Sequence, residues 1–256
     1  MESNLLTIDH TQSVFCFTSD IDWASDYVWE RMHLLYKHFD IPPTYFVTHT
    51  SPFLEQLKKD NTVTLGIHPN FAPGSSHGKD IEAIIDHCFG IVPGTVYCRT
   101  HRYIASNDIC YALYNKGIRC DSSMCTRLGA GLKPLLMNSG IVRFPVFLED
   151  GSYSEYKKDW TLESLLPALN TPGIKVFNLH PVNVIFNIPD RVIYGTIRNH
   201  FNHTGWQHAG KNDVEAHAYK GEGPLTLIEN VLNYVKTNKK QVLSLASLFN
   251  HSDAFM

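Results

Sequence analysis

The sequence predicts an α/β fold in a single domain, built on a mainly parallel sheet. Seven short runs rich in β-branched and aromatic residues alternate with segments of helical period, the pattern of a parallel sheet covered by helices. Residues with useful chemistry follow five of these runs directly. Asp20 and Asp22 follow 14–17, His68 follows 63–67, Arg99 follows 95–98, Asp121 follows 117–120, and His180 follows 176–179. In parallel α/β proteins the carboxyl ends of the strands share one rim, and sites are built there. No repeat, low-complexity stretch or domain-sized linker divides the 256 residues.

After strand one, Ser25 is placed to cap a helix running to about His38, with Val28, Met32 and Leu35 on one face. Pro42-Pro43 breaks the chain, and 44–48 reads as strand two. Ser51-Pro52 opens a short helix, with serine at the cap and proline in the first turn. Strand three is 63–67. The Pro/Gly/Ser-rich loop 69–78 leads to a helix from about Asp80 to Cys88 carrying Ile81, Ile84 and Ile85. Strand four ends at Cys98. Ser106 caps a helix that Gly117 stops, and strand five is 118–120. Residues 142–148 form a sixth strand in which Pro145 marks an edge or a bulge. A short helix near 162–169 precedes strand seven at 175–179. The region 189–219 shows no period, holds four histidines and reads as long loops. Helices at about 225–236 and 240–249 end the chain.

A formal charge of −3 gives no electrostatic case for nucleic acid or an anionic membrane. The opening residues 1–4 lack a basic, then apolar, leader pattern, and no apolar run reaches the roughly 20 residues that span a bilayer. The expectation is a cytoplasmic protein without membrane insertion. Six cysteines without a CxxC pair, three of them inside strand runs, read as buried thiols rather than disulfides.

The chemistry lies in five strings. Asp20-Ile21-Asp22 can put one carboxylate on a metal and leave the other as a base; alone, the string also suits an aspartate-nucleophile phosphatase. His68, with His77 nine residues on, supplies imidazoles for the same ion. Two histidines and a carboxylate with open positions are the donor set of catalytic zinc, and also of non-haem iron, which commonly uses all-β scaffolds. In Arg99-Thr100-His101-Arg102 the first arginine can fork onto a carboxylate, and His101 is a spare imidazole without a place. His180 can protonate a leaving group if a carboxylate orients it, and Asp121 is one candidate for that role.

In this order, the strings resemble the polysaccharide deacetylases of the NodB homology fold, carbohydrate esterase family 4, over about residues 14–182. The strings His68-Pro69-Asn70-Phe71 and Arg99-Thr100-His101-Arg102 look closest to the WbmS-like subgroup of bacterial surface-polysaccharide clusters. The resemblance implies a distorted seven-stranded (β/α) barrel, with C-terminal loops and helices at 189–256. It implies hydrolysis of an N- or O-acetyl group on a sugar. Asp20 would be the base, Asp22 and His68 metal ligands, Arg99 the residue orienting the base, and His180 the acid. A backbone N–H near Arg102/Tyr103 would aid the oxyanion.

The chain also departs from that pattern. Ile21 separates the acidic pair, the two histidines stand nine apart rather than four, His101 replaces a proline, and Asp121-Ser122-Ser123 stands where Asp-Trp is usual. The third metal donor is expected to be His77, with Asn70, His101 or solvent as alternatives. The expected cofactor is a divalent ion, zinc. The expected substrate is an acetylated sugar, lipid-linked or carried on a nucleotide. Rival readings are a hydrolase of another C–N amide bond and a non-catalytic glycan-binding relative.

Overall fold

The computed structural model describes residues 11–157, 159–202 and 205–252; residues 1–4 and His203, both used in the sequence reading, lie outside them. The strands are β1 (Ser13–Asp20), β2 (Thr44–Val47), β3 (Thr64–Ile67), β4 (Tyr97–Cys98), β5 (Cys120–Asp121), β6 (Leu135–Leu136), β7 (Val142–Arg143), β8 (Val146–Glu149), β9 (Gly173–Leu179) and β10 (Gln241–Val242). They form one curled sheet in the order β6-β7-β5-β4-β3-β2-β1-β9-β8, with β10 added to the start of β1. Every pairing is parallel except β6 with β7. The expected distorted barrel is therefore present, as a curled half-barrel.

The expected sixth strand is divided. Pro145 cannot donate to a ladder, so 142–143 stays with β5 while 146–149 crosses to β9. The strip 124–128 then runs along β8: Val146 N–H donates to Met124 O (2.7 Å) and Thr126 N–H to Val146 O (2.9 Å). This irregular strip links the two sides of the curl.

The helices are α1 (Asp26–His38), α2 (Pro52–Leu57), α3 (Ile81–Ile91), α4 (Asn107–Asn115), α5 (Asp150–Tyr156), α6 (Leu162–Asn170), α7 (Pro181–Ile185), α8 (Arg191–His200), α9 (Lys211–His217), α10 (Pro224–Thr237) and α11 (Leu245–Asn250). Ser25, Ser51 and Ser106 cap α1, α2 and α4 as their sequence positions predict, each hydroxyl accepting from the amide three residues on. Two expectations are corrected here. Residues 189–219 are not mainly loop, since they carry α8, a 3-10 turn at Gly205–His208, and α9. Their period is faint because α8 buries only Ile197 fully and α9 buries nothing fully. The helix expected at 240–249 starts later. Residues 241–242 pair with β1, and Ser244 then caps α11.

Strand alternation divides the apolar residues into two cores. Phe15 and Phe17 of β1, with Phe177 of β9, face the helices and stack on one another, the Phe17 and Phe177 centroids being 4.9 Å apart. Burying each such ring stabilises the fold by about 2–3 kcal/mol. Val14, Cys16, Ile174 and Val176 face the inside of the curl, where Leu243, Leu245 and Leu248 pack on them. Residues 241–248 thus plug the amino ends of the strands. The carboxyl ends stay free to carry polar residues of the same inward parity: Thr18, Asp20 and Asn178.

Candidate active site

Asp20 ends β1, and the chain turns sharply after it, with Asp22 and Trp23 at positive φ (42° and 57°). Ile21 is fully buried in the helix-side core, which leaves the two aspartates on the inward side. Asp20 is pinned at both oxygens. Arg99 Nη1 donates to Oδ1 (3.0 Å) and Asn178 Nδ2 to Oδ2 (2.7 Å). Burial alone would raise its pKa; His68, Arg99 and His180 outweigh that and hold it below the usual carboxylate range.

Arg99 leaves β4 into the same space and is fully buried. It also donates to Thr18 Oγ1 (2.8 Å), Ser122 O (3.0 Å) and Ser122 Oγ (2.8 Å), and its guanidinium lies 4.4 Å from the Phe46 centroid. A guanidinium so fully engaged is fixed rather than mobile, and the fork it presents to Asp20 is rigid.

His68, beyond β3, donates Nδ1–H to Arg99 O (2.6 Å), which sets its tautomer. Its Nε2 is buried, has no hydrogen-bond partner among the described residues, and lies 3.1 Å from Asp22 Oδ1. His101, on a short 3-10 turn, brings Nδ1 to 3.1 Å from the same oxygen. Asp22, His68 and His101 each offer a ligand atom, all within 4.8 Å of one another. A buried imidazole lone pair without a proton to accept, facing a carboxylate and a second imidazole, fits a divalent cation. Burial would raise the Asp22 pKa, but His101 and His68 hold it well below the usual range.

His77 does not join this group. Its Nδ1 accepts from Asn70 N–H (3.2 Å) and lies 3.4 Å from Cys88 Sγ of α3, while its ring packs on Trp23 and His87. Burial, with His87 and His68 nearby, lowers its pKa to about 4. The longer spacing lets the loop 69–78 carry His77 toward α3, and Trp23 packs against both His77 and His101. The imidazole standing beside Asp22 and His68 is His101.

His180 leaves β9 with Nε2 at 3.6 Å from Asp22 Oδ2 and 3.9 Å from Asp20 Oδ2. Its carboxylate partner is Asp150, the first residue of α5. The ring Nδ1 donates to Oδ1 (2.6 Å) and the backbone N–H to Oδ2 (2.8 Å). Burial would lower the His180 pKa; Asp150, Asp22 and Glu149 outweigh it and raise it well above the ordinary value. Asp121 does not reach His180. It is one step out of inward parity on β5 and accepts Arg143 Nε and Nη2 at 2.8 and 3.0 Å, on the side of α4. The sequence reading missed Asp150 and Asn178. The signals were the acidic pair Glu149-Asp150 after strand 146–149, and the inward parity of Asn178 two residues before His180. Tyr103 N–H is already engaged by Thr100 O (3.0 Å), so of the two expected backbone donors Arg102 N–H is the one left for an oxyanion.

Two cavities flank this cluster. One of about 380 Å³ is lined by Asp20, Asp22, His101, Arg102, Tyr103 and Arg127, among others. The other, about 480 Å³, lies between α5, α7 and α8, with Glu149, Asp150, Glu155, Asp190, Tyr194 and Trp206 in its lining. Among the described residues, no helix is long and apolar enough to cross a membrane.

A polysaccharide deacetylase family model, described as WbmS-like, matches residues 17–198. The fold is similar to that of a candidate polysaccharide deacetylase involved in O-antigen biosynthesis from Bordetella bronchiseptica. The two are 26% identical over 86% of this chain and 90% of that one, with a TM-score of 0.75. A candidate polysaccharide deacetylase from Mycobacterium smegmatis, 13% identical over 96% and 92%, shares the fold at a TM-score of 0.60. No curated protein matches the chain. The family match spans the strands that carry Asp20, Asp22, His68, His101 and His180, and the chain belongs to the WbmS-like polysaccharide deacetylases.

Proposed function

We propose that the chain is a metal-dependent deacetylase that removes an acetyl group from an acetylated sugar or sugar precursor in surface-polysaccharide biosynthesis. The observation that carries this reading is the cluster of Asp22, His68 and His101, with Asp20 and His180 both within 4 Å of it or of each other. Zinc is the ion that two imidazoles and a carboxylate favour. When bound, it would supply Lewis-acid charge to the acyl oxygen and acidify water. The O-antigen assignment of the Bordetella protein supports the pathway class. Six free cysteines, five of them buried, support a cytoplasmic setting, where lipid-linked and nucleotide-carried sugars are available.

Asp20, kept ionised by Arg99 and aligned by Asn178, accepts a proton from the attacking water. His180, kept protonated by Asp150, gives a proton to the departing nitrogen or oxygen. The two roles need opposite protonation states, and the directions in which the site moves the two groups, Asp20 down and His180 up, support that division. Asp22, His68 and His101 hold the cation, and His68 is oriented by its bond to Arg99 O. The test is acetate release from N- and O-acetylated amino sugars by metal-replete protein. Asp20→Asn and His180→Ala should each lose about 10²-fold or more in kcat at equal metal content. Wild-type turnover in both variants, or no acetate released by the wild type, would refute the proposal.

A further inference from the structure

The two cavities beside the metal-ligand cluster share Asp22 and Glu149 but differ in their other charged side chains. In the 480 Å³ cavity the carboxylates are Asp22, Glu149, Asp150, Glu155 and Asp190. Its one arginine, Arg191, is engaged by Glu155 through both Nε and Nη2. The 380 Å³ cavity differs. Arg102 and Arg127 line it, both exposed, and neither has a carboxylate partner among the described residues. Arg127 rests over the Tyr156 ring at 5.2 Å, which holds its stem without neutralising its charge. The carboxylates on that side have partners of their own: Asp20 is engaged by Arg99 and Asn178, Asp22 by His101, and Glu149 by the amides of Gly151 and Ser152. Both arginines sit at positive φ (57° and 50°), a backbone cost that non-glycine residues retain where their surroundings demand it.

We infer that the acetylated sugar carries an anionic group, a phosphate or a carboxylate, and that Arg102 and Arg127 bind it in the 380 Å³ cavity. This rests on the deacetylase reading for the place of the sugar, and adds to it the charge class of the substrate. Two guanidinium forks match the planar or tetrahedral oxygens of such a group, and a neutral hydroxyl would leave them unmatched. The acid-lined cavity repels an anion, so the charged substituent is directed to the arginine side. The uncharged part of the glycan is left to the other side, where Tyr194 and Trp206 lie with centroids 5.5 Å apart. Arg102 and Arg127 are thus specificity-determining residues.

The test is calorimetric binding to metal-replete full chain, with Asp20→Asn in every arm to prevent turnover. The probes are N-acetylglucosamine, its 1-phosphate, its UDP ester and the corresponding uronic acid. The anionic probes should bind about tenfold or more tighter than the neutral sugar, and whether phosphate or carboxylate does so identifies the group. Arg102→Ala and Arg127→Ala should each cut that preference about tenfold. The double variant should abolish it, and Arg127→Lys should restore part. Equal binding of neutral and anionic probes, preference surviving in the double variant, or no binding of any probe overturns the inference. Acetate release by the wild type without anion preference leaves the deacetylase reading intact and removes this one. Anion preference without acetate release does the reverse.

Discussion

Asp150→Asn separates orientation of the proposed acid from every other function of the cluster. The carboxylate accepts three N–H groups: the His180 ring (2.6 Å), the His180 backbone (2.8 Å) and the Gly151 backbone (2.7 Å). Both oxygens are in use, so an amide at this position must point its NH2 at one of those donors. Either the ring N–H or the His180 backbone N–H then loses its acceptor. A charge-assisted hydrogen bond of this kind is worth about 1.5–3 kcal/mol. That corresponds to a kcat loss of about 10- to 150-fold at neutral pH.

The pH profile carries a second signature. His180 must be protonated to act as acid, so activity is present below its pKa and falls as pH rises through it. Asp150 is among the groups that raise that pKa, so the variant's alkaline limb should move to lower pH. The assay is the pH dependence of kcat for acetate release at matched metal content. An unmoved alkaline limb with near wild-type kcat would refute the pairing of Asp150 with a catalytic His180.

Metal analysis should show His101→Ala and His68→Ala losing stoichiometric zinc while His77→Ala keeps it; retention in His101→Ala with loss in His77→Ala would restore the ligand set expected from the sequence. Asp121→Ala leaves Arg143 buried and unpaired and should cost about 3–5 kcal/mol in denaturant unfolding. The folded fraction should keep its metal and pH profile, and a shifted profile would return Asp121 to the catalytic group. Lys175 is buried under the Phe147 ring, its Nζ lacks a hydrogen-bond partner among the described residues, and burial lowers its pKa to about 8. Between pH 8 and about 10.4 the unfolded chain holds more protons at this residue, so its contribution makes stability rise with pH across that window. Lys175→Met should raise stability below pH 8 by about 3 kcal/mol and flatten that rise; a destabilised, still pH-dependent variant would show that the ammonium has a partner.

The sequence alone determined the strands that carry the site and the residues that leave them toward the rim, while β6, β10 and the division of 142–149 were not legible in it. Asp20, Asp22, His68, Arg99 and His180 were legible because a parallel sheet delivers strand-end residues to one place, and period-two alternation decides their side. The serine caps of α1, α2 and α4 were legible for the same local reason, since a cap is made within four residues of chain. The imidazole that stands beside Asp22 and His68 was not legible locally. His77 and His101 both lie in the segments that follow strand ends, and the path of the loop 69–78, which docks His77 on α3, and the turn at 101–103 separate them. Asp121 had the right position in sequence and the wrong parity, so it pairs with Arg143 outside the mouth. Asp150 and His180 are 30 residues apart, and their contact depends on Pro145 sending 146–149 across to β9. Which strand crosses a gap and which loop folds inward are set by packing across the whole curl, and no window of sequence contains that information.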